Sequence, residues 1–115
     1  MIKKNTSMKP ATTQNSHDGK GEVTRIKLLE EADFLGKGRL FNSMELEPGS
    51  SIGLHEHKGE QEIYYIMQGK AMYNDNGTVR PVEAGDVTIC PSGESHGIEA
   101  IGDETLKVIA LILFT

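Results

Sequence analysis

The sequence predicts an all-β fold, and three observations carry that prediction. Turn signals built from Gly, Pro, Asn and Asp recur roughly every ten residues from Gly36 onward. The runs between them are short and rich in β-branched, aromatic and other apolar residues. No segment of that region is long enough to be a crossover helix between parallel strands. Such spacing belongs to a sandwich or barrel and excludes repeated βαβ units.

Taken in order, residues 1–22 are polar, rich in Thr, Asn, Lys and Gly, and free of any apolar period. They read as a flexible N-terminal tail, with Lys3, Lys4 and Lys9 solvated and His17 exposed. A single β domain then spans residues 23–115. Val23–Leu29 reads as a strand, and LLEEADFL as a helical turn or two. Arg39–Glu47 is a strand closed by the turn pair Pro48–Gly49. Ser51–His57 and Glu62–Gln68 follow, the second stopped by Gly69. Lys70–Tyr73 and Val79–Val82 flank NDNG, whose Asn76–Gly77 pair suits a tight hairpin turn with positive φ. Val87–Cys90 lies between the turns Ala84–Asp86 and Pro91–Gly93; Ser95–Ile101 and Thr105–Phe114 complete the series. The last run, LKVIALILF, is apolar on both faces apart from Lys107. One face fills the interior and the other needs a cover, so a homodimer is expected.

Size and charge bound the function. A chain of 115 residues builds one substantial core and not two. Its net charge of −5 argues against a nucleic-acid surface, which needs clustered Lys and Arg. No DNA-reading helix pair is present, so a one-chain transcriptional sensor is not expected. The start, MIKKNTSMKP, has basic residues but no apolar stretch behind them, so neither a secretory leader nor a membrane-spanning helix is expected. The single cysteine, Cys90, cannot form an internal disulfide, which fits a reducing, cytoplasmic setting. Its place before Pro91 marks it as a buried, inert thiol.

One stretch carries chemistry. GLHEHKGEQE, residues 53–62, is either a solvated charged turn or most of a metal site. On a strand, residues i and i+2 share a face with Cα atoms about 6.6 Å apart, so His55 and His57 project together while Leu54 and Glu56 point away. If the next strand pairs nearby, Glu62 returns to the same region. Two imidazoles and a carboxylate suit Fe(II), Mn(II), Ni(II) or Zn(II) and leave positions open. Glu56 reads as surface, and Glu60 as a loop residue that either lids the cavity or, as the better reading, is solvated. Tyr64 and Ile66 share the parity of Glu62 and are expected to point inward. A fourth ligand is sought downstream, where His96 follows the tight corner Pro91–Gly93.

The segment Gly49–x5–His55–x–His57–x4–Glu62–x6–Gly69 resembles the first motif of the cupin superfamily, and Gly85–x5–Pro91–x–Gly93–x2–His96 is similar to the second. The second departs at its end, where the family often has Asn and this chain has Ala100. The resemblance implies a double-stranded β-helix, or jelly-roll barrel, with a divalent metal (Mn, Fe, Ni or Zn) held inside by His55, His57, Glu62 and His96. Small single-barrel members usually pair as dimers. For function it implies a small-molecule ligand at open metal positions. That ligand is turned over by a dioxygenase, an oxalate-decarboxylase-like lyase or an isomerase acting on an organic acid or sugar-like compound, or captured by a non-catalytic binding or sensing module. In a third reading the metal mainly secures the barrel. Glu60, Glu94 and Tyr64 are the only acid–base candidates beyond the ligands.

Overall fold

Strand boundaries in the computed structural model, which describes residues 1–115, fall largely where turn chemistry puts them. Ten strands run in chain order: β1 (Ala11–Gln14), β2 (Glu22–Lys27), β3 (Gly38–Leu46), β4 (Ser51–Glu56), β5 (Glu60–Gln68), β6 (Lys70–Asp75), β7 (Thr78–Glu83), β8 (Val87–Cys90), β9 (Ser95–Ile101) and β10 (Leu106–Phe114). They form two antiparallel sheets, ordered β1-β2-β3-β10-β5-β8 and β4-β9-β6-β7. The sheets enclose one core, and the double-stranded β-helix expected of the sequence is the fold observed. No helix is long and apolar enough to cross a membrane.

Alternation along the strands builds this core. On β10, Leu106, Val108, Ala110 and Ile112 are at most 2% exposed, while Lys107, Ile109, Leu111 and Leu113 face outward. Tyr64 and Ile66 on β5 are buried as their parity required. The β6–β7 hairpin turns on Asn76 (φ 52°) and Gly77 (φ 102°), a pair that tolerates the left-handed backbone a two-residue turn demands. Pro81 lies on β7, an edge strand with a single neighbour, where a missing N–H breaks no interior ladder.

Three features differ from the sequence expectation. Residues 11–14, read as tail, form β1 and pair with β2, joined by Gln14 Nε2 donating to Glu22 Oε1 at 2.6 Å. All four residues of β1 are exposed, so the strand has no apolar alternation to reveal it. The segment after β1 then folds back onto β4: Ser51 N donates to Lys20 O, and Lys20 N to Ser51 Oγ. LLEEADFL, by contrast, gives the short helical turn expected of it, one turn of 3₁₀ helix over Glu31–Phe34.

The third difference positions the site. Ile52 pairs with Ile98 and His55 with His96, so two residues of β4, Gly53 and Leu54, stand opposite the single residue Gly97. This is a β-bulge, and it resets side-chain parity. In a regular strand Ile52 would share the outer face of Leu54. With the bulge, Ile52 is buried in the core and His55 and His57 still turn inward, while Leu54 and Glu56 stay exposed. Gly53 is also where the N-terminal segment touches down, since a Cβ there would lie 1.9 Å from the carbonyl oxygen of His17.

Candidate metal centre

The barrel brings all four residues expected from the sequence to one point. His55 comes from β4, His57 from the loop that follows, Glu62 from β5 and His96 from β9. One ligating atom from each lies within 4.8 Å of the other three. The His57 loop is clamped to the Pro91–Gly93 corner, His57 N donating to Glu94 O and Gly93 N to His57 O. That corner also launches β9, so the two halves of the site are tied together through backbone.

Each imidazole is oriented by a partner on its outer nitrogen. His55 Nδ1 donates to Gly53 O at 2.7 Å, and His57 Nδ1 to Glu60 Oε2 at 2.6 Å. A carbonyl and a carboxylate only accept, so both rings carry hydrogen on Nδ1 and turn Nε2 inward. His96 Nδ1 meets the Tyr73 hydroxyl at 2.8 Å, and its ring stacks on Tyr64 with centroids 4.8 Å apart. His57 Nε2 lies 3.1 Å from Glu62 Oε1 and 3.2 Å from His96 Nε2; His96 Nε2 lies 2.9 Å from Glu62 Oε1. His55 Nε2 stands 3.8 Å from the same oxygen.

These spacings test the fit of a metal. Bonds of about 2.1 Å to neighbouring octahedral positions put donor atoms about 3.0 Å apart. Three of the contacts are within a few tenths of an ångström of that. Four lone-pair donors converging in a buried space repel one another unless positive charge sits among them, either protons on the imidazoles or a cation in their place. Burial pushes the Glu62 carboxyl up, yet the His55 and His96 imidazoles outweigh it and bring it down to about 2. Burial likewise lowers His96, which favours the neutral form a metal needs.

Glu60 corrects the sequence expectation. Read as a solvated loop residue, it is only 9% exposed and opens β5. Arg39 grips it from β3, Nε to Oε1 at 2.7 Å and Nη2 to Oε2 at 2.8 Å, while His57 takes its other face. The Arg39 guanidinium, with His57 behind it, holds the Glu60 carboxyl at about 2. Cys90 is buried as expected, and burial raises its thiol to about 11. His17 remains exposed but is not a free tail residue: its ring stacks on His55, centroids 4.0 Å apart and 13° from parallel.

Sequence reasoning missed Arg39, Tyr73 and Arg25. Tyr73 shares the parity of Ala71 and Arg25 that of Val23, both core residues, so alternation held the signal for each. Above the cluster lies a cavity of about 170 Å³, lined by His17, Arg25, Arg39, His55 and Tyr64 among others. That is below the roughly 300 Å³ at which drug-sized ligands are enclosed. A wider hollow of about 750 Å³ beside Lys27, Glu30 and Phe114 holds no cluster of ligating groups.

A jelly-roll barrel with three inward histidines and a glutamate defines the class, and residues 42–112 match the Cupin domain family, to which this chain belongs. It is 45% identical over 113 residues to the oxalate-binding protein of Thermotoga maritima, covering 98% of this chain and 93% of that one. A crystal structure from Thermotoga maritima described as a predicted oxalate decarboxylase superposes with a TM-score of 0.96 at 44% identity, all of each chain being covered. KdgF from Halomonas sp., at 19% identity and a TM-score of 0.76, covers 96% of this chain and 90% of its own; it shares the fold.

Proposed function

We propose that this cupin holds a divalent transition metal on His55, His57, Glu62 and His96 and captures a small carboxylic acid at the metal's remaining positions. The observation that carries this is the donor set: His57, Glu62 and His96 donor atoms at 2.9–3.2 Å spacings with His55 Nε2 3.8 Å from the Glu62 oxygen, beneath a cavity too small for a large ligand. Likeness over nearly the whole chain to an oxalate-binding protein makes oxalate the first acid to try. Mn, Fe, Ni and Zn all suit these ligands. When bound, the metal supplies a Lewis-acid site for a carboxylate oxygen.

Capture without turnover is the reading preferred here. Proton transfer needs an acid or base with a pKa near neutral. Glu60 is locked between Arg39 and His57 and held at about 2, burial pushes the Tyr64 hydroxyl well above its ordinary range, and Glu94 does not line the cavity. Decarboxylation is the second reading, favoured by likeness to the structure described as a predicted oxalate decarboxylase. The test is metal analysis of untagged protein beside His55→Ala, then calorimetry with oxalate and an assay for formate and carbon dioxide. Near-stoichiometric metal absent from the variant, with oxalate binding and no product, is the expected result. Full metal in the variant would refute the ligand assignment, and product release would establish the second reading.

The proposal extends to a homodimer formed through the outer face of the larger sheet. Tyr65 pairs with Ile109 and Val87, and Ile63 with Leu111 and Ile89, giving two adjacent apolar rows across β10, β5 and β8. Tyr65, Val87 and Ile89 are each about half exposed. Light scattering at micromolar concentration is expected to give twice the 12.6 kDa chain mass, and Ile89→Lys half of that. A monomeric wild type would refute the dimer.

A further inference from the structure

The cavity contains a cation with no counter-ion. Arg25 lies on β2 between Val23 and Lys27, and its ladder partner on β3 is Met44. Val23 and Met44 are both core residues, so Arg25 projects from the inward face of its strand toward the barrel mouth. Its side chain makes a single hydrogen bond within the protein, Nη2 to Ser16 Oγ at 3.0 Å, and no salt bridge. Ser16 is itself buried, held by the segment folded back on β4. A half-buried guanidinium ordinarily finds a carboxylate; here it is tied by a neutral hydroxyl, and four of its five N–H donors have no partner in the chain.

The other charges of the cavity are accounted for. Arg39 and Glu60 cancel each other in a two-bond pair. Glu56, at the rim, is exposed and 3.8 Å from Lys58. His17 stacks on His55 and makes no ion pair. A divalent cation with the Glu62 carboxylate leaves one positive charge, and Arg25 adds a second. A ligand that neutralises this cavity is therefore a dianion.

We propose that Arg25 is the specificity-determining residue of the site, its guanidinium fork taking the oxygens of a second carboxylate, so that the cavity selects small dicarboxylates over monocarboxylates. This rests on the metal-and-acid reading above and assigns its selectivity to one side chain. Planar, bidentate pairing with a carboxylate is what a guanidinium does and an amide or ammonium does not.

The test is calorimetry on the full-length, Mn(II)-loaded protein with oxalate and with acetate, for wild type, Arg25→Gln and Arg25→Lys, with metal content and melting temperature measured on each. Arg25→Gln is expected to keep its metal and to lose about 10- to 100-fold in oxalate affinity, with acetate nearly unchanged. Arg25→Lys is expected to recover part of the loss, and it carries the test if Arg25→Gln does not fold. Were Arg25 only a strap for the Ser16 segment, both acids would weaken together and the oxalate-to-acetate ratio would stay at the wild-type value. An unchanged ratio in both variants overturns the assignment of Arg25 alone. A wild type that binds metal yet no acid overturns the underlying reading, and this proposal with it.

Discussion

Replacing Glu60 with Ala is the perturbation that most directly probes how the centre is held. The substitution removes the only acceptor of His57 Nδ1–H, which is buried, and the carboxylate that engages Arg39. Leaving the buried N–H without a partner costs about 1–3 kcal/mol. The Arg39 side chain is 48% exposed, so its release into water adds only about 0–1 kcal/mol. The sum, about 1–4 kcal/mol, corresponds to a fall of about 4–16 °C in the melting temperature of a domain this size. Because His57 loses its orientation as well, metal affinity is expected to drop about 10- to 100-fold. Thermal denaturation followed by circular dichroism on metal-free protein reads the first effect, and competition with a chelating dye reads the second. Glu60→Gln keeps an amide oxygen for His57 and is expected to retain roughly half of both. A Glu60→Ala protein melting within about 2 °C of wild type, with metal affinity intact, would refute the orienting role.

Four further outcomes are expected. Glu60 is held at about 2 against an ordinary 4.5, so its contribution to stability is complete above pH 4.5 and lost as pH falls toward 2; Glu60→Gln should show a flatter loss of stability across that window in acid titrations. Metal at a thousandfold excess over its dissociation constant should stabilise by about 4 kcal/mol, raising the melting temperature of wild type by about 16 °C and leaving His96→Ala unmoved. Gly53→Ala would drive a methyl group into the His17 carbonyl, so it should cost about 1–3 kcal/mol and speed tryptic cleavage after Lys20; an unchanged cleavage rate would show that the segment does not depend on that close approach. Cys90, buried and raised to about 11, should resist a disulfide-exchange reagent at pH 8 in the folded protein and react at once in guanidinium.

Much of the site is legible along the chain because its constraints are local. The Pro91–Gly93 corner and the Asn76–Gly77 hairpin name their own turns through backbone preference. Tyr64 and Ile66 follow Glu62 inward because strand parity is a fixed period of two. The β1 strand was hidden for the converse reason: an element exposed on every residue carries no apolar pattern. Glu60 looked like solvent-facing charge because its partner, Arg39, lies 21 residues earlier on another strand.

The sequence by itself determined an all-β cupin barrel and the identity of its four converging side chains, and left the ligand and the reaction open. The tertiary structure alone decided that Gly53 and Leu54 form a bulge, that Glu60 is a buried orienting group, and that Arg25 faces the cavity without a counter-ion. Turn type and side-chain parity are properties of neighbouring residues, whereas register shifts and ion pairing depend on which strands lie side by side, and only the closed barrel sets that.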